Sequence, residues 1–204
     1  MTILDKPNRR IARVAFLAAL FFSCGASGEL QTLSLEEVVS LKVVTAARMN
    51  PDGDQIAYLL SVPREIYKDK DGRSNRGLHV VDFDGNSRPY VTGDFDISAL
   101  AWSADGDSIF FVAKRDSKAE FNSLFEISLD GGEAADVFTH VNSIGGIHPS
   151  PDGSIIAFIA SDAPPTKKKA LAEKGFKALV YEESVPVKKV WLLNLETKEA
   201  RSHD

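Results

Sequence analysis

The residue types able to do chemistry are sparse in this sequence and poorly grouped. Its four histidines, His79, His140, His148 and His203, are scattered, and none lies in a nucleophile motif or at metal-ligand spacing. They read as strand or loop histidines. A Gly-x-Ser-x-Gly nucleophile elbow is absent, as are a phosphate loop and a dinucleotide fingerprint. The one cysteine, Cys24, can form neither an internal disulfide nor a thiolate metal cluster. Glu182 and Glu183 are adjacent carboxylates that follow Val180-Tyr181. Two carboxylates in a partly desolvated cavity would attract an ammonium group. The competing reading is a solvated pair beside Lys188 and Lys189. No catalytic residue, metal site or cofactor is expected on these grounds.

The segments that carry these residues are organised by a repeat. Asp-Gly steps fall at Asp52-Gly53, Asp105-Gly106 and Asp152-Gly153, spacings of 53 and 47 residues. Each closes a four-residue turn, at 50–53, 103–106 and 150–153, and each turn leads into an apolar run: Gln55 to Leu60, Ser108 to Ala113, and Ser154 to Ala160. Aspartate bonds nearby backbone amides in such turns, and glycine takes the left-handed conformation without a Cβ penalty. The runs are apolar at nearly every position, which predicts strands covered on both faces. A second strand follows in each unit, Leu78 to Phe83, Leu124 to Leu129 and Val190 to Leu195, with a tight hairpin after it. Short strands at 89–92 and 135–139, and the segments 97–102 and 144–148, complete a meander that recurs about every 50 residues, the length of a four-stranded propeller blade with its loops. Trp102 and Trp191 read as packing between or within blades.

The expected fold is therefore all-β: a partial β-propeller of about three to four four-stranded antiparallel blades, preceded by a short helix. Removing residues 1–28 leaves roughly 175 residues, about three and a half units, where propellers use about four to eight. An open array exposes apolar surface and strand edges. The propeller spans 45–204 and reads as incomplete. The helix is expected within 34–41 of a leader at 29–44, with Ser34 and Glu37 at capping-box spacing. An insertion at 162–186 holds Pro164-Pro165, the run Lys167-Lys168-Lys169 and a short helical stretch through Gly175; it reads as a solvated loop, with a substrate- or partner-facing role as the alternative.

Residues 1–28 have the three-part pattern of a secretory signal: the basic residues Lys6, Arg9, Arg10 and Arg13, the apolar run Val14 to Phe22, then small residues. The run is shorter than the roughly 20 residues of a membrane span, so no span is expected in the mature form. Acylation of Cys24 as a lipoprotein is a variant reading, and a buried N-terminal helix is another. The location expected is outside the cytoplasm, periplasmic or extracellular. With 44% hydrophobic and 26% charged residues the chain is ordinary globular material. A net charge of −5 offers no basic footprint for nucleic acid.

Four ordered features together resemble the N-terminal propeller of the prolyl oligopeptidase family of serine peptidases, in its secreted acylaminoacyl-peptidase or dipeptidyl-peptidase type. They are Leu35 to Leu41 (LEEVVSL), Val43 to Gly53 (VVTAARMNPDG), the Asp-Gly blade turns, and Val180-Tyr181-Glu182-Glu183 followed by Val190 to Thr197. The resemblance spans about Leu33 to Arg201. It implies a propeller that covers an active site and admits short peptides, with the triad in a following C-terminal hydrolase domain. This chain holds no part of that domain, so it is expected to be non-catalytic by itself and to meet peptide substrate only in a full-length context. The resemblance also implies that Glu182 and Glu183 hold a substrate's free amino terminus. Two other readings stand beside it: a stand-alone periplasmic propeller that binds envelope proteins, of the Tol type, and a non-functional truncated remnant.

Overall fold

In the computed structural model, residues 32–65, 67–94, 96–116, 118–163, 165, 170–171, 173–176 and 186–203 are described. The chain falls into two compact units, Met1–Leu35 and Glu36–Asp204. The account below concerns the second. Cys24, Glu182, Glu183 and the signal-like residues 1–28 lie outside the described residues, as does most of the insertion at 162–186.

The described fold is all-β: a short helix, α1 (Leu35–Val39), precedes twelve strands, and Ala170, Leu171 and Glu173 are also helical. Three four-stranded antiparallel sheets follow one another along the chain. The first contains β1 (Val43–Met49), β2 (Gln55–Val62), β3 (Asn75–Asp82) and β4 (Ser87–Val91). The second contains β5 (Ile97–Trp102), β6 (Ser108–Ala113), β7 (Ser123–Ser128) and β8 (Ala135–Thr139). The third contains β9 (Gly145–Pro149), β10 (Ile155–Ser161), β11 (Lys188–Asn194) and β12 (Ala200–His203). Strands pair only with their sequence neighbours in each sheet, so every sheet is a meander. We call them blades 1, 2 and 3. The first strands of the blades lie side by side, with β5 next to both β1 and β9.

Two apolar layers hold the blades together. The first joins Ala57, Leu59, Leu78 and Val80 of blade 1 to Leu100, Trp102, Ile109, Phe111 and Phe125 of blade 2. The second joins Ala101, Phe110, Val112 and Leu124 of blade 2 to Ile147, Ile156, Phe158 and Leu193 of blade 3. Side chains alternate across a strand. β6 therefore sends Ile109, Phe111 and Ala113 into one layer and Phe110 and Val112 into the other. Its five apolar residues are all buried.

The flanking blades depart from the sequence expectation. β2 and β10 were predicted to be covered on both faces, yet each buries only alternate residues. Ala57 and Leu59 are enclosed while Ile56, Tyr58 and Leu60 are half-exposed; Ile156, Phe158 and Ala160 are enclosed while Ile159 is exposed. An apolar run marks a strand's capacity for two covered faces. Whether both are covered depends on a neighbouring sheet, and only blade 2 has one on each side among the described residues. β3 also begins earlier than predicted, at Asn75. Its pairing with β2 starts at Val62↔Asn75 and includes Leu60↔Gly77. A Cβ at Gly77 would stand 3.0 Å from the Val91 carbonyl oxygen, so a side chain has no room there.

Candidate functional site

The three Asp-Gly turns join the first and second strands of their blades, so they gather at one end of the first strands. Each is built alike. The glycine amide donates to the carbonyl of the turn's first residue: Gly53 to Asn50 at 3.1 Å, Gly106 to Ser103 at 3.2 Å, Gly153 to Ser150 at 3.0 Å. The glycines have φ of +76°, +78° and +72°, the left-handed region that penalises a Cβ. The turns also touch one another. A Cβ on Gly106 would lie 3.5 Å from Pro51 Cδ and 3.8 Å from Asp52 Oδ2, and one on Gly153 would lie 3.5 Å from Ala104 Cβ. These residues thus connect successive blades as well as closing hairpins.

The first residue of each turn is a part the sequence reading passed over. Ser103 Oγ donates to Asp105 Oδ1 at 2.6 Å and accepts from the Ser108 amide at 3.0 Å. Ser150 Oγ does the same with Asp152 Oδ1 at 2.5 Å and the Ile155 amide at 3.0 Å. In blade 1 the part is taken by Asn50, whose Oδ1 accepts from the Asp54 and Gln55 amides, each at 3.0 Å. The signal was present in the sequence as a short polar residue three positions before every turn glycine. These bonds hold Asp105 below the usual carboxylate range, chiefly through the Ser103 hydroxyl. Asp152 is held down to about 2, chiefly by the hydroxyls of Ser150 and Ser154. Both carboxylates are therefore occupied as hydrogen-bond acceptors within their turns.

Trp102 supplies the other link. Its Nε1 donates to the Arg48 carbonyl at 2.9 Å, joining β5 to β1. Trp191 acts within blade 3, donating to the Ala160 carbonyl at 3.2 Å.

Around these turns lies an open cleft of about 440 Å³. It is lined by Arg48, Asn50, Trp102, Ser103, His148 and Ser150, with prolines and apolar residues between them. The chemistry it exposes is the Arg48 guanidinium and the His148 imidazole; Trp102, Ser103 and Asn50 are buried, with polar atoms bonded within the fold. The serine hydroxyls donate to aspartates of their own turns, so neither is set up as a nucleophile beside a histidine base. His79 and His203 stand on β3 and β12, away from this lining. Among the described residues no group of three His, Cys, Asp or Glu side chains converges to hold a metal ion. No helix among them is long and apolar enough to cross a membrane.

Three consecutive four-stranded meanders with neighbouring first strands and turns gathered at one mouth decide the architecture. The chain is a partial β-propeller. No family model matches the sequence. The chain is 26% identical over 129 residues to the uncharacterised peptidase YuxL of Bacillus subtilis, a match over 63% of this chain and 19% of that protein. The propeller is similar in structure to an acylaminoacyl peptidase of Pyrococcus horikoshii, with a TM-score of 0.58, 14% identity and coverage of 81% of this chain and 25% of that one. It is also similar to TolB of Acinetobacter baumannii, with a TM-score of 0.51, 12% identity and coverage of 77% and 31%. The resemblance to peptidase propellers that the sequence carries is thus borne out in the fold. The chain spans under a third of the length of each of these three proteins.

Proposed function

We propose that this propeller is the substrate-gating part of an exported serine peptidase acting on short peptides, and that it is non-catalytic by itself. The observation that carries this reading is the match of 129 residues to a peptidase, in a chain whose three blades adopt a peptidase-type propeller fold. Bond cleavage is assigned to a C-terminal hydrolase domain. The propeller's part would be physical. The first strands, which lie side by side, and the touching turns would form a wall, and a wall selects by size. The mixed polar lining of the mouth suits a peptide backbone, which brings donors and acceptors in equal number. The basic and apolar pattern of residues 1–28 supports export.

The direct test is the coding sequence downstream of codon 204. An adjoining segment that encodes a hydrolase domain with a Gly-x-Ser-x-Gly elbow supports the reading. If expressed together, the two parts should cleave short peptides and spare folded proteins, and replacing the elbow serine with alanine should abolish cleavage. Absence of such a segment in any frame overturns it. The fold likeness to TolB fits the alternative of a periplasmic module that binds envelope proteins. Recovery of a stoichiometric envelope partner, with no hydrolase segment encoded, would favour that alternative.

A further inference from the structure

The link between blades 2 and 3 contains a buried titratable group that plays no part in the mouth. His140 follows β8 and is 7% exposed. Its ring packs edge-on against Trp191 of β11, with centroids 4.5 Å apart, and against Phe158 of β10 at 5.6 Å. Phe138 closes a third side at 6.4 Å. Within this apolar surround, His140 Nδ1 accepts a hydrogen bond from the Asn142 amide at 3.2 Å. A backbone amide can only donate, so Nδ1 carries no proton and the ring's single proton sits on Nε2.

Asn142 is a junction. Its Nδ2 donates to the carbonyls of Ser161, at 3.1 Å, and Asp162, at 2.7 Å. Ser161 ends β10 and Asp162 follows it, where the chain leaves blade 3 for the insertion. The returning strand is tied to the same place, because Lys189 Nζ pairs with Asp162 Oδ2 at 3.0 Å. On the other side, Asn122 anchors the connection to blade 2 through two bonds to the Ile144 backbone, at 2.7 and 2.9 Å. One short segment, 140–144, therefore joins the two blades; its polar hold on blade 3 passes through Asn142, beside the packing of His140 and Ile144 on that blade.

We propose that the His140–Asn142 segment is a proton-operated clasp that holds the base of the insertion, closed when the imidazole is neutral and opened when it is protonated. The reason is stereochemical. A proton added to Nδ1 turns the acceptor into a donor that faces the Asn142 N–H. The bond is lost, and the position of the Asn142 side chain on Ser161 and Asp162 is lost with it. One charged group acts on the ring. Asp162 favours the charged imidazole, but Lys189 is paired with that carboxylate. Phe138, Phe158 and Trp191 contribute no titratable group. Burial is the largest influence and favours the neutral ring, pushing its pKa below the ordinary histidine value.

The test uses the whole 204-residue chain. Nitrogen-15 NMR of the histidine rings at pH 7.5 should show His140 as the Nε2–H tautomer. Hydrogen exchange at the Asn142 amide, corrected for its intrinsic pH dependence, should lose about five- to tenfold protection between pH 7.5 and pH 5, as expected for one lost bond and its dependants. His140→Phe keeps an apolar ring without the titrating nitrogen, and its Asn142 protection should be low at both pH values. A Nδ1–H tautomer, unchanged Asn142 protection in the native chain, or an equal pH-dependent loss in His140→Phe would overturn the proposal. The tautomer and native-chain exchange decide the matter if that variant does not fold.

Discussion

Phe110 and Phe111 are neighbours in sequence, chemically identical and buried, at 4% and 0% exposure. The structure gives them different tasks. Phe111 enters the layer shared with blade 1, where it stacks on Phe125 at 5.5 Å between centroids. Phe110 enters the layer shared with blade 3. Replacing either with alanine removes a buried ring and leaves a cavity, at a cost of about 3–5 kcal/mol. Stability in stacked modules is roughly a sum of each module's own stability and its nearest-neighbour interfaces. The loss should therefore fall on one interface. A cost of 3 kcal/mol raises local opening by about 150-fold, since about 1.4 kcal/mol corresponds to a factor of ten. Hydrogen exchange with peptide-level readout is the assay. Phe111→Ala should deprotect β2 and β3 of blade 1 by at least about two orders of magnitude and leave β10 and β11 near their native rates. Phe110→Ala should do the reverse. Equal loosening of all three blades by both variants would refute the two-layer account.

Other outcomes follow from the turns and from the paired glutamates. Gly106→Ala places a Cβ at a φ of +78°, so it should cost about 1 kcal/mol from backbone strain, readable by urea denaturation. Space is not the cause, since the nearest atom would be 3.5 Å away, and Gly106→Asn should cost less because asparagine tolerates this region. Asp152, held down to about 2 in the folded chain, binds its proton less readily there than when unfolded. Its contribution to stability is therefore complete above the ordinary carboxylate pKa and is lost as pH falls towards 2. Ser150→Ala removes the largest cause, so carboxyl-carbon NMR should show Asp152 titrating at a higher pH. In a protein that includes the hydrolase domain, replacing Glu182 and Glu183 with alanine should raise KM for peptides with a free amino terminus and spare blocked ones. An unchanged KM would remove those residues from substrate binding.

The sequence by itself determined the repeating unit. Asp-Gly at a fixed place before an apolar run encodes a turn locally, because glycine's freedom at positive φ and the reach of an aspartate or serine oxygen to nearby amides need no distant partner. The three hairpins, the strand order within each blade and the placing of Trp102 and Trp191 in packed positions were legible for that reason. Tertiary structure decided which of two equally apolar neighbours faces which blade, as with Phe110 and Phe111, since strand alternation fixes opposite faces but not what covers them. It alone brought Arg48, Trp102 and His148 to one mouth across some 100 residues of chain. It alone gave His140 its aromatic surround and its bond to Asn142. Contacts of that kind come from the stacking of blades, and stacking depends on how sheets meet in space, which local residue preference does not encode.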